Sequence, residues 1–130
     1  MENMNMEDSY SVKIKDSSRE FTKRERLAFK DLTNAEKFDT VVGVDEKLTI
    51  TPTDWAILEI TNPKSEKDVY YVYVVMDNEG NKYYTSSAAF WSSFTNIYDE
   101  LEGEEFSINV YKCESKNYKG KYFITCSVVW

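Results

Sequence analysis

The order of periodic segments between Val69 and Val129 predicts a mainly β fold with one helix, arranged as a five-stranded Greek-key OB-fold barrel. Three observations predict it. VYYVYVVM and KYYTSS read as strands on either side of the tight turn DNEGN. AAFWSSFTNIYDEL carries an apolar stripe at helical spacing. EFSINVYKC and KYFITCSVV then form a second strand pair around ESKNYKG. In an OB-fold a helix bridges the third and fourth strands, which is where this helix falls.

The earlier elements are less regular. Residues 1 to 20 are polar and mixed in charge, and read as an N-terminal arm, flexible or ordered, ahead of a domain over residues 21 to 130. YSVKIK (Tyr10 to Lys15) fits a short strand, and a frayed tail fits equally. RERLAFKDL fits a short strand or a short helix. LTNAEKF predicts a helix start, with Thr33 or Asn34 as cap and Glu36 in the first turn. Pro52 interrupts KLTITPTDWAILEI, which gives two short strands or one strand bent at an edge. TNPKSEKD reads as a polar loop.

The hairpin fixes a register. With Asn78, Glu79 and Gly80 as its loop, Val75 faces Tyr83 and Tyr73 faces Thr85. Alternation puts Tyr71, Tyr73, Val75 and Tyr83 on one face, and Tyr70, Val72, Val74, Met76 and Tyr84 on the other. The second face is more apolar and is expected to form the core. Trp55, Ile57 and Glu59 of the preceding strand point one way, Ala56, Leu58 and Ile60 the other. In the helix, Phe90, Trp91, Phe94, Ile97, Tyr98 and Leu101 make one stripe, capped by Ser86 or Ser87 and stopped by Gly103. Phe106, Ile108 and Val110, then Tyr122, Ile124, Cys126 and Val128, alternate into the core.

Composition bounds the function. The chain has 130 residues, 42% hydrophobic and 15% aromatic, enough for one domain with a real core. No apolar run approaches the roughly 20 residues that cross a bilayer, and MENMNMEDSY lacks the pattern of a secretory signal. Two cysteines indicate no disulfide framework, so a cytoplasmic location is expected. There is no histidine and no glycine-rich phosphate loop, and neither Cys113 nor Cys126 has an activating partner. A non-enzymatic chain without cofactor or metal is expected.

The net charge of −7 opposes binding to a polyanion. Its distribution is uneven, however. Lys13, Lys15, Arg19, Lys23, Arg24, Arg26 and Lys30 face only Asp16, Glu20 and Glu25 in one stretch. Lys112, Lys116, Lys119 and Lys121 face only Glu114 in another. The acids gather in DELEGEE, from Asp99 to Glu105.

Two clusters then point to single-stranded nucleic acid, which small barrels hold by stacking bases on aromatic rings beside cationic side chains. Trp55, Tyr71, Tyr73 and Tyr83 form the expected stacking platform, although aromatic residues also favour strands for packing alone. In YKCESKNYKGKY, Tyr111 and Tyr118 accompany Lys112, Lys116, Lys119 and Lys121 on a loop that overhangs the groove of an OB barrel. A lysine-rich hairpin that merely keeps a sheet edge soluble has the same composition. Lys82 is expected to add a phosphate contact.

VYYVYVVMDNEGNKYYTSSAAFWSSFTNIYDEL followed by NYKGKYFITCSVV resembles small single-stranded DNA-binding proteins of phages infecting low-GC Gram-positive bacteria, lactococcal phages in particular. The likeness covers roughly residues 26 to 130. It implies an OB-fold, self-association with a dimer favoured, and coverage of single strands in phage replication and recombination, with replication or recombination proteins as further partners. The chain departs from the better-known bacterial proteins of this kind, which end in an acidic tail with a terminal proline-phenylalanine; this one ends SVVW. Two rivals follow from the residues. One is an acidic protein-binding module, such as a phage inhibitor of a host factor that mimics DNA. The other is a small enzyme on a barrel scaffold, which the absence of histidine disfavours.

Overall fold

A computed structural model describes residues 11–61 and 69–130. The first ten residues of the expected arm and most of the TNPKSEKD loop lie outside the described residues. The chain runs β1 (Ser11–Ser17), α1 (Lys23–Lys30), β2 (Glu36–Lys37), α2 (Phe38–Val41), β3 (Lys47–Ile50), β4 (Pro52–Thr61), β5 (Val69–Asp77), β6 (Lys82–Thr85), α3 (Ala88–Glu100), β7 (Ile108–Glu114) and β8 (Tyr122–Val128). It is mainly β and forms two sheets, ordered β1-β4-β5-β6-β2 and β3-β7-β8. No helix among the described residues is long and apolar enough to cross a membrane.

One chain segment serves both sheets. β3 pairs antiparallel with β7, and β4 pairs antiparallel with β5. Thr51 and Pro52 mark the change of sheet. Proline has no N–H for the ladder, and the β4–β5 register slips between Pro52 and Asp54. Two strands therefore form, as one of the two expected alternatives had it, although the second, Pro52–Thr61, is ten residues long rather than short.

The β5–β6 hairpin has the expected register, with Tyr73 opposite Thr85 and Val75 opposite Tyr83. Its turn is organised by Asp77, whose buried carboxylate accepts from the backbone N–H groups of Glu79 (3.0 Å) and Asn81 (2.9 Å). Gly80 supplies the positive φ of 84° that the turn demands. Helix α3 is also as expected. The Ser87 hydroxyl accepts from the Phe90 N–H (3.1 Å), and the chain leaves the helix through Gly103 at φ 90°.

The closed barrel is not formed. Closure would pair β6 with β8, yet the outer edge of β6 is taken by β2, which runs parallel to it. The facing edge of β8 is held by α3 instead. Ser87 Oγ donates to the Ile124 carbonyl (2.7 Å), and the Ser93 and Thr125 hydroxyls meet at 3.1 Å. Hydroxyls and a helix thereby cover a strand edge that would otherwise stay unpaired.

Both faces of the larger sheet are buried. Val75 and Tyr83 join Phe38, Phe90, Phe94, Ile108, Val110 and Ile124 in a core beneath α3 and the smaller sheet. On the opposite face Ala56, Leu58, Ile60, Val72 and Val74 pack against Phe21 and Phe29. These two rings stack 4.6 Å apart and bring α1 onto the sheet. α1 begins in a capping box: the Glu25 N–H donates to Thr22 Oγ1, and the Glu25 carboxylate accepts from the Thr22 N–H. Arg19 ties this turn to β4 through Glu25 (2.8 Å) and Asp54 (3.2 Å).

Several expectations change. The more apolar hairpin face is core as expected, but the other face is core too, because α1 and α3 sandwich the sheet. No cap forms at Thr33 or Asn34, since the Asp31 carboxylate takes the Thr33 N–H (3.0 Å) in a turn. The helix there is the single turn from Phe38, after the Glu36–Lys37 pairing. Tyr70 and Tyr122 lie exposed beyond the ends of the core rather than within it.

Candidate nucleic-acid interface

The strands distribute the expected platform between core and surface. Tyr83 is 9% exposed and stacks on Phe38 at 5.1 Å, so it belongs to the core and cannot meet a base. Burial raises its phenol's pKa, and nearby Asp77, Glu36 and Glu79 push the same way. Trp55 is half-buried, with its ring edge-on to Trp91 (5.2 Å) and Tyr98 (5.9 Å). Tyr73 is half-buried and stacks flat on Trp91, 4.7 Å away. Tyr71 reaches the surface, at 36% exposure, because it lies farther along β5 than the helix extends.

Lys82 also departs from expectation. Its ammonium donates to the Ala28 carbonyl and to the Asp31 carbonyl (2.7 Å). Those carbonyls lie at the C-terminal end of α1, where a cation is favoured by the helix dipole. The side chain is a cap joining β6 to α1, not a free phosphate contact.

The second hairpin is different. Tyr118 is 67% exposed, Tyr122 45% and Phe123 36%. With Ser115 and Lys121 they line an open cleft of about 410 Å³. Lys116 and Lys119, in the same loop, are exposed, as is Lys121. The loop is held by its own backbone, through Ser115 N–H to the Lys121 carbonyl (2.8 Å) and Lys121 N–H to the Tyr118 carbonyl (3.1 Å). The one acid in the hairpin is engaged internally, as Glu114 accepts from the Gly120 N–H (2.9 Å). Lys112 is half-buried two register positions from that end, opposite Ile124. Tyr111 lies half-buried on the outer face between Lys47 and Thr125.

The basic stretch from Lys13 to Lys30 is built into the fold. Arg19 is consumed by its two carboxylates, and Lys15 sits over the Tyr71 ring. Lys13, Lys23, Arg24 and Arg26 remain exposed. Of the acids from Asp99 to Glu105, Glu102, Glu104 and Glu105 border a separate cleft of about 300 Å³ with Thr51, Pro52, Tyr98 and Phe106. Cys113 is exposed; Cys126 is buried, and burial pushes its thiol up to about 12.

Four residues that line these clefts were not among the expected site residues: Phe123, Trp91, Lys15 and Ile57. A signal existed for two of them. Tyr122 and Phe123 are adjacent on a strand, so one must face away from the core. Phe90 and Trp91 are adjacent on a helix, so Trp91 has to sit at the margin of the stripe. The chain matches no protein-family model, no curated protein and no solved structure.

Proposed function

We propose that the chain is an OB-like, sequence-independent single-stranded DNA-binding protein of the phage type, acting in phage DNA replication and recombination in the host cytoplasm. The observation that carries the reading is the β7–β8 hairpin, where three exposed aromatic rings share one cleft with Lys121, while Lys116 and Lys119 lie exposed in the same loop and the one acid of the hairpin is hydrogen-bonded to the Gly120 N–H. Aromatic rings stack on any base, and lysines track the phosphates, so no sequence reading is required. The topology supports it as well. From β3 onward, a segment that passes from one sheet to the other, a meander, a helix and a final hairpin follow the OB order, opened between β6 and β8. Self-association accompanies this reading by resemblance.

The test is replacement of Lys116, Lys119 and Lys121 by glutamine. Each lysine on a phosphate contributes about 0.7 to the slope of log affinity against log salt for single strands, so the triple variant should lose about 2. An unchanged slope would remove the hairpin from the interface. A second reading rests on the exposed acids from Asp99 to Glu105, three of which (Glu102, Glu104 and Glu105) line a cleft of their own: a basic protein partner that the acidic face attracts in place of DNA. Binding to such a partner with indifference to oligonucleotides would favour it.

A further inference from the structure

We propose that the cleft formed by Lys15, Ile57, Tyr71, Tyr73 and Trp91 is a second subsite, taking a single nucleobase, and that Lys15 gates it. This rests on the single-strand reading above but not on the hairpin, with which the cleft shares no residue. Helix α3 stands between the two regions, with Trp91 against Tyr73 on one side and Ser93 against Thr125 on the other.

The cleft is small, about 220 Å³, and its walls are unlike those of an ordinary surface dimple. Tyr73 and Trp91 are stacked within 9° of parallel and form one double-ring wall. Ile57 lies opposite Tyr73 in the β4–β5 ladder, and Tyr71 is the next residue of that face. The Lys15 Nζ stands 4.5 Å above the centre of the Tyr71 ring and 3.3 Å from its hydroxyl. That is the position in which a base stacked on Tyr71 would lie.

Lys15 is there because β1 bulges. The pairing with β4 slips between Ile14 and Asp16, and Lys15 is the residue left over. A bulge of this kind re-aims a side chain and is enriched beside functional sites. An exposed cation–π contact is weaker than base stacking on an aromatic ring, so an incoming base displaces the ammonium. The freed lysine, on a flexible stem, then meets the phosphate of the same nucleotide. Glu59, across from Tyr71, opposes an anion, and Lys13, across from Glu59 in the same row, offsets it. A planar base joined to a phosphate therefore fits the site better than a bare anion or an aliphatic chain.

The experiment uses the full chain and an unlabelled oligothymidine strand, with tryptophan fluorescence and the salt dependence of binding read together. Saturating strand should quench fluorescence, and most of that quench should vanish in Trp91→Phe. Lys15→Gln should lower the salt slope by about 0.7 and keep the unfolding midpoint. Tyr71→Ala should weaken binding about tenfold, the worth of one stacked base. Strand binding with no Trp91 signal and an unchanged Lys15→Gln slope overturns the cleft and leaves the hairpin reading standing. A Lys15→Gln variant that shifts the unfolding midpoint but not the slope assigns Lys15 a packing role and also overturns it. Absence of strand binding in the unaltered chain overturns the single-strand reading itself.

Discussion

Tyr83 offers the sharpest separation between a residue that holds the fold and one that binds a ligand. Its ring is in the core, stacked on Phe38 within 5° of parallel and packed among the buried side chains beneath α3. A buried aromatic side chain removes about 150–250 Å² from water, worth about 4–6 kcal/mol at about 25 cal/mol/Å². Compact denatured states reduce that figure, the alanine methyl retains part of it, and loss of the stack with Phe38 adds about 1 kcal/mol. Tyr83→Ala should therefore cost about 3–5 kcal/mol, as other buried aromatic truncations do. Domains of this kind have about 5–15 kcal/mol in all. Tyr83→Phe, which removes the hydroxyl and leaves ring and stack in place, should stay within about 1 kcal/mol. The assay is urea unfolding of both variants beside Tyr118→Ala, followed by strand titration of those that fold. Tyr83→Phe should bind as the unaltered chain does. Tyr118→Ala should keep its midpoint and lose about 1–3 kcal/mol of binding. A Tyr83→Ala protein with an unaltered midpoint and weakened binding would refute the placement of this ring in the core.

Two further predictions concern the N-terminal region. Lys82→Gln leaves the α1 carbonyls of Ala28 and Asp31 without their cation, and should cost about 1 kcal/mol of stability while leaving the salt slope of strand binding unchanged. The Glu25 carboxyl is held down at about 2, first by Arg19 and then by the Thr22 N–H. Because its folded value lies below its unfolded one, the stabilisation is fully present above the ordinary carboxylate range and is lost as pH falls toward 2. The melting temperature of Glu25→Gln should thus lie below that of the unaltered chain at neutral pH, and the gap should close as pH drops from about 4.5 to about 2. A gap that is constant with pH would contradict the capping role.

The readable part of the fold was that dominated by local rules. A two-residue period with a glycine turn set the β5–β6 register, and a helical stripe with a serine cap set α3. Pro52 marked the sheet change for a covalent reason. What stayed hidden was tertiary. Nothing in the stripe of α3 says which sheet face it will cover, so Tyr73 and Tyr83 looked like part of a wet platform when α3 in fact packs on that face and leaves only Tyr71 exposed. The two-residue β2 strand is too short to leave a periodic trace, yet it occupies the β6 edge and keeps the barrel open. Lysines were equally ambiguous. Lys82 and Lys116 look alike in sequence, and only packing shows that one caps a helix while the other lies exposed on a hairpin.

The hairpin tip was legible because its features are local. Lysine and tyrosine crowd within a few residues of a turn, and no other element of the described structure covers Tyr118 enough to bury it. The cleft at Tyr71 was not, since it draws Lys15, Ile57, Tyr71 and Trp91 from four elements that meet only after folding.

The central claim, that this acidic protein holds single-stranded DNA, is tested most directly by titrating one labelled mixed-sequence oligonucleotide, first single-stranded and then duplexed, at low and at moderate salt. Tight single-strand binding that weakens with salt, with little affinity for the duplex, is the predicted result. No binding of the single strand at low salt would contradict it, and would make the carboxylates from Asp99 to Glu105 the surface to pursue.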